Sequence, residues 1–195
     1  MEESTAHPAR LETQLFYDAF KASPIGIAVE NLEGQPLFVN PVLCSMLGFT
    51  EEEMCSKYRV ECSPPEDAKK DWALFEQLRA GSIDHYQIEK RFFRRDGSLI
   101  WGRLSISLLN SRPSPLVLAM VEDITEKKRA EETRLRHAAV IESSDDAIAS
   151  GTLDGIIVSW NAGAQKIYGY TEAEAVGKSI TMLVPPEPPL SSAGP

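Results

Sequence analysis

The sequence is poor in three things: cysteine, positive charge and uninterrupted apolar stretches. Its three cysteines, Cys44, Cys55 and Cys62, form no C-x-x-C pair and leave an odd count. That argues against a disulfide framework and points to a reducing, cytoplasmic setting. With 20 Lys and Arg against 29 Asp and Glu the net charge is −9. Such a chain repels phosphate backbones and anionic lipid, so neither nucleic acid nor a membrane surface is an expected partner. The longest apolar run, Leu116 to Val121, falls far short of a membrane span. The amino terminus, M-E-E-S-T-A-H-P, has neither a basic region nor an apolar segment, and no export signal is read there. No glycine-rich nucleotide loop and no G-G-D-E-F segment occurs, and R-L-R-H-A-A-V-I around His137 lacks the acidic residue and proline of a phosphoacceptor box. No catalytic residue and no metal site is therefore assigned.

What is present is a repeat. Shifted by 121 positions, two stretches fall into register without a gap. Ser23, Ile27, Ala28 and Leu32 meet Ser144, Ile148, Ala149 and Leu153; Gly34, Asn40 and Gly48 meet Gly155, Asn161 and Gly169. Thr50, Glu51 and Glu53 meet Thr171, Glu172 and Glu174, and Pro64-Pro65-Glu66 meets Pro185-Pro186-Glu187. The matched residues are ones that backbone geometry restricts. An acidic residue followed by Gly34 or Gly155 between two apolar runs reads as a hairpin turn. Asn40 and Asn161 end the second strand and cap a helix, with Pro41 at its first position in the first copy. Gly48 and Gly169 stop that helix, and Thr50-x-x-Glu53 and Thr171-x-x-Glu174 are capping boxes for the next.

Beyond the repeat, Pro64 to about Ala80 reads as a longer helix with Trp72, Leu74, Phe75 and Leu78 as its apolar stripe. Tyr86 to Phe93 and Leu99 to Leu109 flank Asp96-Gly97, a strong hairpin signal. Leu104, Ile106 and Leu108 alternate with Arg103, Ser105 and Ser107. Leu116 to Val121 reads as a last, more fully buried strand. Two strands, several helices and three strands make an α+β design, an antiparallel sheet with helices on one face.

Asn40-Pro41 followed by Leu47-Gly48-Phe49-Thr50-x-x-Glu53, then Arg94-Arg95-Asp96-Gly97-Ser98 with Trp101, then Val121-Glu122-Asp123-Ile124-Thr125-Glu126 occur in that order. In order and spacing they resemble the PAS family of sensory domains. The resemblance implies a five-stranded antiparallel sheet cupped around a pocket, a signalling helix behind it, and a partial second PAS unit. Residues 1–14 are then a tail, 15–124 a complete module, 125–142 a linker helix with coiled-coil character, 143–187 the first half of a second module, and 188–195 a disordered tail. Residues 143–187 are expected to be loosely packed or completed by another chain. Asp123, Ile124 and Thr125 are the expected transmission point, with Asp123 capping the helix and Ile124, Leu135, Ala138 and Ile141 as a sparse seam.

Candidate pocket residues are Phe38, Tyr86, Trp101, Ile106 and Met120, which would serve equally as plain core. Cys62 lies in V-E-C-S-P-P, not in the cysteine segment of flavin-adduct relatives, and the longer helix offers no axial histidine for haem. His85 reads as a loop residue. No cofactor is expected, with a non-covalent flavin or a small metabolite as alternatives. Lys90-Arg91 and Arg94-Arg95 read as a solvated basic face, and Cys44 as a small core residue. The function expected is a non-catalytic sensory and dimerisation module. It would pair through the linker and amino-terminal helices and act on a downstream signalling domain or protein. The alternatives are the input part of a sensor histidine kinase or cyclic-dinucleotide synthase, and a flavin or haem receptor for redox state or gases.

Overall fold

A computed structural model describes residues 6–184. The described residues divide into two compact units that meet at Lys128 and Arg129. The expected tail at 188–195 and the repeat of Pro185-Pro186-Glu187 lie outside the described residues.

The first unit begins with a helix, α1 (Ala6–Ala22), so residues 6–14 are helical rather than a tail. Past Pro8 the segment contains no glycine or proline, and its Leu, Ala, Glu and Gln content favours helix. A hairpin follows, β1 (Gly26–Glu30) and β2 (Pro36–Val39), then α2 (Pro41–Leu47) and α3 (Glu51–Cys55). A 3₁₀ turn at Arg59–Cys62 leads into α4 (Pro65–Arg79). Three long strands close the unit: β3 (His85–Phe93), β4 (Leu99–Leu109) and β5 (Leu116–Asp123). The sheet order is β2-β1-β5-β4-β3, with every neighbouring pair antiparallel. The short β1–β2 hairpin thus pairs with the last strand, and α2, α3 and α4 pack on one face of the sheet. Their apolar residues, among them Leu43, Leu47, Met54, Phe75 and Leu78, meet the inward Ala28, Leu104, Ile106, Val117 and Ala119.

The local chemistry follows the expected pattern. Gly34 and Gly97 take positive φ of 76° and 82° in the two hairpin turns. Thr50 and Glu53 form a reciprocal capping box. β5 departs from expectation by alternating: Val117, Ala119 and Val121 are buried, while Leu118 and Met120 are only half-buried on the opposite face.

The second unit repeats the first half at smaller scale. The end of α5 (Thr125–Ser143) is followed by a two-stranded hairpin, β6 (Ala149–Gly151) and β7 (Ile157–Trp160). Next come α6 (Ala162–Tyr168) and α7 (Glu172–Ala175). Its buried core is Ile157, Trp160, Ala164 and Ala175, while Val158, Ile167 and Tyr168 are exposed.

The repeat extends to individual hydrogen bonds. Asn40 Oδ1 accepts from Ile27 N–H (2.8 Å) and Leu43 N–H (3.0 Å), and its Nδ2 donates to the carbonyls of Phe20 (3.1 Å) and Ile25 (2.9 Å). Asn161 makes the corresponding four bonds, to Ile148, Ala164, Ile141 and Asp146. Each partner is displaced by the same 121 positions. Phe20 is in α1 and Ile141 in α5, so α5 enters the second unit as α1 enters the first.

Candidate functional site

The helical face of the first unit covers a charged cluster that spacing alone explains. On α4, Asp67, Asp71, Phe75 and Leu78 follow one another at helical intervals, and all four are buried. On β3 the inward positions are Tyr86, Lys90 and Phe92. On β1 the inward set is Gly26, Ala28 and Glu30. Arg59 comes from the 3₁₀ turn and is 5% exposed, with Glu30 at 5%, Asp71 at 1% and Lys90 at 2%.

Asp71 is the hub. Its Oδ2 accepts from Lys90 Nζ at 2.7 Å and its Oδ1 from the Tyr86 hydroxyl at 2.6 Å. Burial works against its charge, but Lys90, Arg59 and Tyr86 together overcome that and hold the carboxyl below the ordinary aspartate range. Arg59 is less well served. Its guanidinium lies 4.4 Å from the Phe75 ring centroid. Its Nε sits 3.6 Å from both Glu30 Oε2 and Asp71 Oδ2 and donates to neither. Glu30 Oε2 is likewise without a hydrogen-bond partner. Burial pushes the Glu30 carboxyl up, and the nearby Arg59 offsets this only in part. Glu30, Arg59, Lys90 and Cys62 share the lining of a cavity of about 40 Å³ with Leu43, Leu47, Leu104 and Val121.

The opposite face of the sheet receives α5. Ile124 N–H donates to the Trp101 carbonyl (2.9 Å), and Trp101 N–H donates to Thr125 Oγ1 (3.0 Å). Asp123 Oδ1 accepts from Thr125 N–H at 2.8 Å, an Asx-type bond just ahead of α5. One turn later Lys128 Nζ meets Glu89 Oε2 at 2.7 Å and lies 5.3 Å from the Trp101 ring centroid. Arg103 bridges the same Glu89 and Glu122, at 3.2 and 3.0 Å. Glu89 and Lys90 are adjacent on β3 and point to opposite faces, one gripping the helix and the other the buried cluster.

A family model described as a PAS domain matches residues 24–126, more than half of the chain. The chain belongs to the PAS family. A second PAS-fold model matches residues 135–192, in agreement with the repeat. Over 168 residues, 83% of the chain, it is 34% identical to the probable diguanylate cyclase DgcE of Escherichia coli. Over 117 residues, 58% of the chain, it is 31% identical to the sensor histidine kinase TmoS of Ectopseudomonas mendocina. The chain spans 15% and 12% of those proteins. Among solved structures, the PAS domain of an HTR-like protein from Haloarcula marismortui is 26% identical with a TM-score of 0.51, covering 59% of this chain and 99% of that one. A domain of a sensory box sensor histidine kinase/response regulator from Geobacter sulfurreducens has a TM-score of 0.50 at 24% identity, covers 60% of this chain and 98% of that domain, and supports the fold alone. The sequence is thus that of a PAS sensory module followed by a second PAS match.

In the PAS module the expected site residues separate by strand parity. Tyr86 and Ile106 point inward, and Tyr86 reaches Asp71. Phe38 is 58% exposed, and Trp101 and Met120 lie on the outer face; none of the five expected residues, Tyr86 and Ile106 included, lines the cavity. Lys90, expected on a solvated basic face, is inside. Its three companions are also paired: Arg91 with Asp67 and Glu66, Arg94 with Asp123, and Arg95 with Glu53. Ile124, expected in the helix seam, is buried at 3% because its amide is drawn onto Trp101. Cys44 is half-buried against the core, and His85 is exposed at the start of β3. Among the described residues no helix is long and apolar enough to cross a membrane.

Proposed function

We propose that the chain is a non-catalytic input module in which events at the buried cluster are passed to α5. The observation that carries this reading is the placement of Lys90 and Glu89. A shift of β3 that changes the contact of Lys90 with Asp71 must also move Glu89 against Lys128 and alter the grip on the first turn of α5. Thr125 on Trp101 supplies the second point of hold. Asp123, Ile124 and Thr125 act as the transmission point, with Lys128 and Glu89 added to it.

Glu89→Gln and Lys128→Ala test this. The pair lies at the solvent-facing surface, so its loss should leave global stability nearly unchanged. Amide exchange at residues 125–129 should accelerate several-fold while that at Leu104 and Ala119 holds. Unchanged exchange at 125–129 in both variants would remove the mechanical link.

The downstream partner in this reading is a signalling domain. A relative whose similarity runs through both PAS units at 34% identity is a probable diguanylate cyclase, which favours a cyclic-dinucleotide output over a histidine kinase. A cavity of about 40 Å³ suits a ligand of a few atoms and supports a small metabolite over a flavin or haem.

Homodimerisation completes the proposal. α1 exposes Leu11 at 68%, Leu15 at 66% and Phe16 at 74%, and α5 exposes Leu135 and Val140. The double substitution Leu15→Glu and Phe16→Glu should convert a dimer to a monomer in light scattering coupled to size exclusion. A wild-type chain that is monomeric at 100 µM would defeat the dimer reading.

A further inference from the structure

The cavity has one wall with unanswered chemistry. Glu30 Oε2 and Arg59 Nε both belong to residues that are 5% exposed, both lack a hydrogen-bond partner, and they stand 3.6 Å apart. Buried polar atoms are rarely left this way, because each loses its hydration without replacement. Asp71, in contrast, is fully engaged by Lys90 and Tyr86. The open positions are therefore one donor and one carboxyl oxygen, side by side. The rest of the lining is mostly apolar, including Leu43, Leu47, Leu104 and Val121.

Size and charge narrow the ligand. A water-sized position takes roughly 10–15 Å³, so the cavity offers about three of them, enough for a molecule of a few heavy atoms. Glu30 and Asp71 balance Arg59 and Lys90 when all four are ionised. A bare anion would leave uncompensated negative charge in a buried site, and a bare cation the reverse. A carboxylate that arrives with one proton leaves the sum unchanged.

We propose that this cavity binds a short-chain monocarboxylic acid of the acetate or propionate class. One ligand oxygen accepts from Arg59 Nε–H, the other shares a proton with Glu30 Oε2, and the alkyl end lies on Leu43, Leu47 and Val121. No covalent bond forms or breaks: one proton is taken from solvent per carboxylate bound and lies between the two carboxyl groups. The groups facing Glu30 are Arg59 and Cys62 from the 3₁₀ turn, Asp71 from α4, and Lys90 and Tyr86 from β3. None of the others is offered to the ligand as a partner for that proton. Burial already favours the protonated Glu30. The inference rests on the reading of this cavity as the sensing site.

The test is an amide chemical-shift titration of the whole chain at pH 6 with sodium acetate and sodium propionate. Acetamide, methylammonium chloride and sodium chloride serve as comparison probes. Saturable shifts at Ala28, Leu104, Ala119 and Val121 are expected with acetate and propionate, and none with the other three. Affinity should fall as pH rises, by up to about tenfold per unit. Glu30→Gln, whose amide can donate where the protonated acid would, should keep binding and lose the pH dependence. Arg59→Gln should lose binding, and Ala119→Val, which fills the cavity and leaves every charge in place, should lose it in a chain that still folds. Absence of saturable shifts with acetate and propionate overturns the proposal, as does equal binding of acetamide or preference for methylammonium. Acetate binding without any change at residues 124–128 would uphold the ligand and sink the signalling role, so the two failures are distinct.

Discussion

Asn40→Ala should destabilise the first PAS module by about 3 kcal/mol or more, a larger loss than most single substitutions produce. Asn40 is completely buried and answers four backbone groups with one side chain. Two are amide hydrogens, of β1 and of the first turn of α2; two are carbonyls, of the end of α1 and of the residue before β1. Alanine leaves all four without that partner, the Leu43 amide in a buried site and the other three in partly buried ones, at roughly 1–3 kcal/mol for a buried polar group stranded in this way. The Leu43 bond is also the cap of α2, worth about 1 kcal/mol alone. Thermal midpoint should fall by roughly 10 °C or more, and the urea midpoint should drop at unchanged slope. Asn40→Asp separates the two halves of the role. It retains the acceptor for Ile27 and Leu43 but turns a carboxylate toward the carbonyls of Phe20 and Ile25. Amide exchange at the carboxyl end of α1 should then rise ahead of that in the sheet. A midpoint within 2 °C of wild type for Asn40→Ala would show that the hub is not what ties α1 to the sheet.

The same asparagine shows how far the sequence could be read. Its shared spacing with Asn161 and the proline behind it announced a cap, because caps depend on local geometry that a few consecutive residues determine. The two bonds back to the preceding helix and strand were invisible, since the sequence gives no sign of which carbonyls approach. The turns at Gly34 and Gly97 and the capping box at Thr50 were legible for the same local reason. The cavity was not. Aromatic residues drew attention to Phe38 and Trp101, yet strand parity decides which face a residue takes, and the register of β2 and β4 turns both outward. Parity also held the missed signal. Lys90 stands in step with Tyr86 and Phe92, Glu30 with Ala28, and Asp71 four residues before Phe75 on the apolar stripe of α4. A charge at a core position is more informative than an aromatic there, because its burial demands partners. Arg59 gave no such sign, since a 3₁₀ turn has no periodicity to violate.

The second large effect is expected at Asp71. Replacement by alanine leaves Lys90 and Arg59 facing Glu30 alone inside the core. Removing one member of a buried pair typically costs about 3–5 kcal/mol. Lys90→Met alone should also destabilise, because it leaves Asp71 with only the Tyr86 hydroxyl and the more distant Arg59. The double variant Asp71→Ala with Lys90→Met should be less destabilised than the two single losses added, and this coupling is the measurement that matters. Strict additivity would mean that the 2.7 Å contact is incidental to the fold.

Acid unfolding gives an independent reading of the same site. The Asp71 carboxyl lies below its unfolded value, so its contribution is complete above about pH 4 and disappears as pH falls through the folded value. Glu30 behaves in the opposite sense. Its folded value is raised, so whatever it contributes is present at low pH and is lost as pH rises through that value. Wild type should therefore lose stability below pH 4 more steeply than Asp71→Asn, and the gap between them should narrow toward pH 2. Glu30→Gln should leave that acid limb intact and flatten the decline on its alkaline side. If Asp71→Asn kept the wild-type acid limb, Asp71 would not be ionised in the folded core, and Lys90 and Tyr86 would be answering a neutral acid.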